Sequence, residues 1–210
     1  MKLGTIGTGN MARALGGALG RMGHQVKFGS REPAKARELA DQVGGAASGG
    51  SYADASRFAD VVILATPWAS TRASLEQAGS LSGKVVVDVT NPLAPDFGSL
   101  VVGHVTSGGE EVAKWAQGAK VVKAFNAVPS VAIEAAPSFG YSEPPTIFYA
   151  GDDARAKKTV AQLIAELGFD AVDAGPLANA RYLEPMAMLW VYMAYAMKRG
   201  PDSVFRLMSK

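Results

Sequence analysis

Short apolar runs recur along this chain, and several are separated by stretches whose apolar residues return every three or four positions. Residues 3–6, 26–28, 61–65, 85–89, 121–125 and 146–150 read as strands, with another near 171–173. Runs 61–65 and 85–89 are β-branched and lack polar alternation, the pattern of strands buried on both faces in a parallel sheet. Residues 10–22 read as a helix with Met11, Leu15, Ala18, Leu19 and Met22 near one face. Helices also fit 110–117, 154–167 and 33–43, the last opening with Pro33 at a permitted first-turn position. Residues 44–50, rich in Gly, Ala and Ser, read as a loop with room for one short strand. A long helix over about 179–198 precedes a tail.

Strands alternating with helices imply an α/β fold: a Rossmann-type, doubly wound, mainly parallel sheet with right-handed crossovers. Residues 1–175 are expected to form that domain and residues 176–210 a small C-terminal helical appendage. A length of 210 residues suits this arrangement better than two full domains. Hydrophobic residues at 48% and charged residues at 19% support a sizeable core and argue against disorder. A net charge of +2 is too small to imply a nucleic-acid or membrane-surface partner. Cysteine is absent, which excludes disulfides, thiolate catalysis and cysteine-ligated metal sites. The start carries no run of the signal-peptide kind, and the apolar stretch 185–197 is shorter than the roughly 20 residues of a membrane span. A cytoplasmic protein is expected.

Gly7-Thr8-Gly9-Asn10-Met11-Ala12 matches the G-x-G-x-x-G/A fingerprint, and it stands between the first strand and the first helix. Gly7 permits the tight turn, Gly9 lets the backbone approach a pyrophosphate, and Ala12 keeps helix and strand close. The free N–H groups and positive dipole end of that helix suit phosphates. About 20 residues on, proteins that bind NAD usually carry Asp or Glu for the ribose 2′-OH. Here the second strand ends Phe28-Gly29-Ser30-Arg31, with no carboxylate. Arg31 offers a guanidinium fork for a 2′-phosphate, Ser30 a hydroxyl, and Lys35 a point charge one helical turn on. NADP is thus expected over NAD, with Glu32 turned outward.

Ligands of this fold lie beyond the carboxyl ends of the strands. Ala65-Thr66-Pro67-Trp68, Asp88-Val89-Thr90-Asn91-Pro92-Leu93 and Lys123-Ala124-Phe125-Asn126 each follow a strand. Thr66-Pro67 and Asn91-Pro92 taken singly are ordinary turn dipeptides. Together the three segments are expected to surround a nicotinamide ring, so Ala65, Thr66, Pro67, Asn91, Pro92, Ala124, Phe125 and Asn126 join Gly7, Thr8, Gly9, Asn10 and Met11 as cofactor-site candidates. No acid–base pair and no metal-ligand spacing is visible, and no catalytic side chain is assigned. His24 falls at the amino end of the second strand, the wrong edge, where a surface role is expected. His104 falls in a segment without a clear element and is a minor acid–base candidate. Lys123, polar within an apolar strand, either faces solvent or holds the cofactor region. Hydride transfer between stacked rings needs alignment more than a protein acid.

These pieces, above all Ser30-Arg31 with Lys35 and Thr66-Pro67-Trp68, together resemble the NADPH:coenzyme F420 oxidoreductase family and its bacterial relatives, over most of the chain. The resemblance implies Ser30, Arg31 and Lys35 at the 2′-phosphate with Thr8 nearby. It implies direct hydride transfer between NADPH and a small-molecule acceptor, a deazaflavin (F420) or a flavin, in a homodimer. Relatives include ferric reductases that use flavin, and residues 88–93 are similar to the bacterial branch. Residues 6–12 also resemble the start of pyrroline-5-carboxylate reductases, imine reductases that carry a longer helical carboxyl-terminal region. A non-catalytic NADPH sensor is the alternative of another class. For the dimer, Met186, Leu189, Trp190, Met193 and Met197 form one apolar stripe of the last helix, which has almost no polar face between 185 and 197. One side can pack on its own sheet, and a second subunit is expected to cover the other.

Overall fold

A computed structural model of the protein describes residues 1–138, 140 and 142–208. Its first half alternates β1 (Lys2–Ile6), α1 (Asn10–Arg21), β2 (Gln25–Ser30), α2 (Pro33–Val43), β3 (Ala47–Ser51), α3 (Tyr52–Phe58), β4 (Val61–Leu64), α4 (Trp68–Ala78) and β5 (Val85–Asp88). There follow α5 (Gly108–Trp115), β6 (Lys120–Lys123), α6 (Ser130–Ala135), β7 (Thr146–Gly151), α7 (Ala154–Glu166), β8 (Asp170–Asp173) and α8 (Ala180–Val191). The strands form one sheet in the order β3-β2-β1-β4-β5-β6-β7-β8, parallel throughout except for the antiparallel pair β6–β7. The expected doubly wound α/β fold is the one observed.

Alternation along the strands divides the core between two helical layers. Val61 and Ile63 of β4 join Leu15, Phe28, Val122 and Leu163 in one cluster. Val62 and Leu64 face the other way and join Ile6, Leu75, Val86 and Val112. Side chains of a strand point alternately to opposite faces, so an unbroken apolar run serves both layers. Side chains also start several helices: Ser51 and Asp54 form a capping box on α3, Ser107 caps α5, and Asp153 caps α7.

Register sets the functional edge. Ile6 of β1 is level with Leu64, Leu64 with Asp88, and Asp88 with Lys123. Gly7, Ala65, Val89 and Ala124 are therefore the next residue out on four successive strands. The chain leaves β1 for β2 on one side and β4 lies on the other, so the crossover crevice opens above Gly7.

The short strand for which residues 44–50 left room is β3, which pairs with β2 from Val26–Ala47 to Ser30–Ser51. One expectation needs correction. Trp190, assigned to an intersubunit stripe, is buried in its own subunit, and its indole Nε1–H donates to the Ser203 carbonyl at 2.7 Å. The buried side of α8 is Leu183, Glu184, Ala187 and Trp190, continued by Ala194. Beyond Val191 the helix widens into a π turn, Tyr192–Ala196.

Candidate functional site

The glycine turn carries β1 into α1. Gly7 has φ of 120° and donates its N–H to the Gly29 carbonyl at 3.1 Å. Gly9 is the N-cap of α1 and supplies no side-chain cap, so the first-turn N–H groups stay available. A Cβ on Gly9 would meet nothing within 4 Å. The space it would enter is external, and it fits the approach of a pyrophosphate to bare backbone. Ala12 is fully buried beneath the turn.

A groove of about 250 Å³ runs outward from this turn, between Thr8, Gly9 and Asn10 on one side and Lys35 and Gln42 on the other. Ser30 ends β2, buried, and its Oγ accepts the Glu32 N–H at 3.2 Å. Arg31 is exposed and forms no hydrogen bond or ion pair among the described residues. Glu32 points outward as expected but holds Lys35 at 2.7 Å, both more than half exposed. The Lys35 ammonium, hydrogen-bonded to Glu32, keeps that carboxyl below its usual range. Arg13 lines the same groove and pairs with Glu134 of α6 at 3.1 Å. Sequence reading passed over Arg13; its signal is a cation one helical turn after Gly9.

A second cleft, of about 390 Å³, shares Asn10 with the groove. Its walls include Met11, Asn91, Phe125, Asn126 and Trp190. Asn91 donates Nδ2–H to the Asn126 carbonyl at 2.7 Å, and Asn126 returns Nδ2–H to Asn91 Oδ1 at 3.1 Å and to the Leu183 carbonyl at 2.8 Å. Phe125, buried and two residues beyond β6, has φ of 60°, a conformation that bulky residues rarely hold and that clusters at ligand sites. Tyr195, on the π turn, and Pro201 complete the far wall.

Other expected residues support this site from behind. The Ala65 carbonyl sits against Gly7. Thr66 is buried, its Oγ1 3.0 Å from Thr71 Oγ1, and Pro67 is the N-cap of α4. Ala124 is fully buried, and Pro92 packs near Gly108. Trp68 stacks at 5.2 Å on Trp115. His104 is exposed, with φ of 61°. His24 is buried at the opposite edge, against the expected surface role, between the chain's amino group and Glu166.

Lys123 does not face solvent. It is fully buried, its Nζ 2.7 Å from Asp88 Oδ2 and 2.8 Å from Glu184 Oε1, and it donates to the Thr90 carbonyl at 2.8 Å. Burial pushes this ammonium toward a lower pKa, but the two carboxylates outweigh it and hold it above the usual lysine value. Glu184 also accepts the N–H groups of Gly108 and Gly109, at 2.8 and 2.9 Å, in the first turn of α5.

A bare glycine turn at the crossover of a doubly wound sheet, joined to a cleft at the strand ends, is the arrangement of dinucleotide-binding folds. Residues 2–92 match the family described as NADP oxidoreductase coenzyme F420-dependent. A crystal structure from Arthrobacter sp. FB24, provisionally named an F420-dependent NADP-reductase, is 30% identical and covers all of both chains with a TM-score of 0.88. The F420-dependent NADP reductase of Methanothermobacter thermautotrophicus is 29% identical over 91% of this chain and 88% of its own length. The rat Metalloreductase STEAP3 is 30% identical over 89% of this chain, which spans only 36% of that relative. This chain belongs to the coenzyme F420-dependent NADP oxidoreductase family. Among the described residues no helix is long and apolar enough to cross a membrane.

Proposed function

We propose that the protein passes a hydride between NADP(H), seated in the groove, and a flavin or deazaflavin (F420-like) ring in the adjoining cleft. The observation that carries this reading is the junction of groove and cleft at Asn10, beyond the carboxyl ends of β1, β4, β5 and β6. When bound, NADPH would supply two electrons and a proton together, as one hydride.

The chain's own residues hold and align the two partners. The α1 amino end takes the pyrophosphate, and Ser30, Arg31 and Lys35 take the 2′-phosphate, Lys35 exchanging Glu32 for it. Met11, Phe125 and Trp190 offer apolar faces to a planar ring, while Asn91 and Asn126 fix the rim. Among the described residues lining the cleft, none is a carboxylic acid, histidine or lysine, in keeping with a transfer governed by alignment. Residues 176–210 then act as the appendage that walls the acceptor side.

The same reading makes the protein a homodimer. Tyr182, Leu189, Tyr192, Tyr195 and Met197 are exposed along α8 and its extension, between 50% and 73% accessible. An apolar face of that size suits a second subunit.

Anaerobic oxidation of NADPH against FMN, FAD, F420, ferric citrate and a cyclic imine tests the function. Turnover is expected with FMN, FAD or F420. Turnover confined to the imine would replace this reading, and tight NADPH binding without turnover would make the protein a sensor.

A further inference from the structure

Three ionised side chains meet in the interior just behind the cleft. Asp88 ends β5, Lys123 ends β6 and Glu184 lies on α8, and each is at most 1% exposed. Two carboxyl groups face one ammonium, so one acidic group is in excess there. The N–H groups of Gly108 and Gly109, at the positive end of α5, answer it through Glu184. A cluster like this is weak evidence of added stability, because apolar residues of similar volume often do as well. Its best-attested use is to fix one arrangement of the elements it joins.

The elements joined are those that build the cleft. Asp88 Oδ1 takes both the N–H and the hydroxyl of Thr90, at 2.9 and 2.7 Å, while Lys123 takes the Thr90 carbonyl. Thr90 is thus held on both sides, and the next residue is Asn91. Glu184 follows Leu183, whose carbonyl receives Asn126. Pro185 stands inside α8 and cannot donate to the preceding turn, so this stretch relies on outside anchors. One is Glu184; the other is Arg181, whose Nε and Nη2 bind both oxygens of Glu110 on α5 at 2.8 and 2.6 Å. Trp190 lies further along the helix so anchored.

We propose that Asp88, Lys123 and Glu184 are positioning residues for the acceptor half of the site: they lock α8 to the ends of β5 and β6 and so set the spacing between Trp190 and the Asn91–Asn126 pair. This rests on the reading that the cleft receives the acceptor. The nucleotide half, on the Gly7–Asn10 turn and Ser30–Arg31, contains no member of the cluster.

Two variants test it, with FMN or F420 as acceptor. Glu184→Gln removes the charge and keeps one oxygen, enough for one of the two α5 N–H groups. The triple variant Asp88→Asn/Lys123→Met/Glu184→Gln removes all three charges and leaves no orphaned ion. The expected result for both is a KM for the acceptor raised about tenfold, kcat reduced less, and a Kd for NADPH within about twofold of wild type. Hydrogen exchange adds a readout independent of turnover: amides of α8 from 186 to 191 should exchange at least about tenfold faster, with those of β1 and β2 unchanged. Recovery of both melting temperature and acceptor KM in the triple variant would reduce the cluster to core filling and overturn the proposal. Equal losses for NADPH and acceptor would overturn it too. If wild type turns over no acceptor, the cleft reading has failed, and positioning of α8 is then judged by the exchange pattern alone; unchanged α8 exchange would reject it.

Discussion

Gly7 presses on the carbonyl of Ala65: a methyl group on its α-carbon would lie 2.2 Å from that oxygen. Gly9, two residues on, would meet nothing. On the proposed reading one glycine is required by the fold and the other by the ligand, and substitutions separate the two. Gly9→Val is expected to fold, at a cost of about 1 kcal/mol at the helix start, and to lose NADPH binding. Gly7→Ala is expected to lose about 1–3 kcal/mol from its backbone conformation alone, with the steric overlap added. Thermal melts beside NADPH titrations check both. Normal NADPH affinity in Gly9→Val would make the turn a mere loop.

Arg31 has no partner among the described residues to release before it meets a 2′-phosphate, whereas Lys35 must leave Glu32. Arg31→Ala is expected to weaken NADPH by about 1.5–3 kcal/mol, the range of a charged hydrogen bond, and to leave NADH nearly unchanged. Glu32→Gln, which frees Lys35, should tighten NADPH modestly. Calorimetric titration with both nucleotides decides; equal losses for both in Arg31→Ala would remove these side chains from the 2′-phosphate.

Lys123 gives a pH dependence with a definite sign. Its folded pKa lies above the ordinary lysine value of 10.5, so the native state binds this proton more tightly than the unfolded chain. The stabilisation is complete below about pH 10.5 and is lost as pH rises through the folded value. Urea unfolding between pH 8 and pH 12 (a range of about four units) should show a decline in wild type that is smaller in the triple variant. Identical alkaline slopes would contradict it.

Light scattering across a dilution series tests the dimer. Leu189→Glu and Tyr192→Glu alter exposed positions and should yield folded monomers. Trp190→Asp should instead destabilise the subunit, since it places an unpaired charge among buried residues. A wild-type protein that remains monomeric at high micromolar concentration rules out the dimer.

Much of the sheet could be read from the sequence because its central strands are continuous β-branched runs, each followed by a turn. β3 was legible only as room for one short strand in a loop, because Ala-Ser-Gly-Gly-Ser has no large apolar side chain. Its Gly49 lies so close to α2 that a Cβ would be 2.2 Å from the Ala36 carbonyl carbon, and that proximity is invisible locally. The glycine turn and the ends of β2, β5 and β6 could be placed because fold geometry puts ligands there. The role of Lys123 could not, since its partners stand on another strand and on the last helix. Between 185 and 197 the letters are apolar on almost every side, so only packing shows that Trp190 turns inward and Leu189 outward.

Because β7 runs against its neighbours, its first residue, Thr146, arrives at the edge where β1 to β6 end. The closing segment returns there: the Phe205 carbonyl accepts the Thr146 N–H at 2.9 Å, and the Leu207 N–H donates to Thr146 Oγ1 at 3.0 Å. Exposed Lys2, at the start of β1, stands at the opposite edge. For wiring the protein to an electrode, a tether at Lys2 leaves the mouth of the proposed site open to bulk solution. The same tether at Leu207 brings the conducting surface to the mouth itself, so one protein offers both orientations.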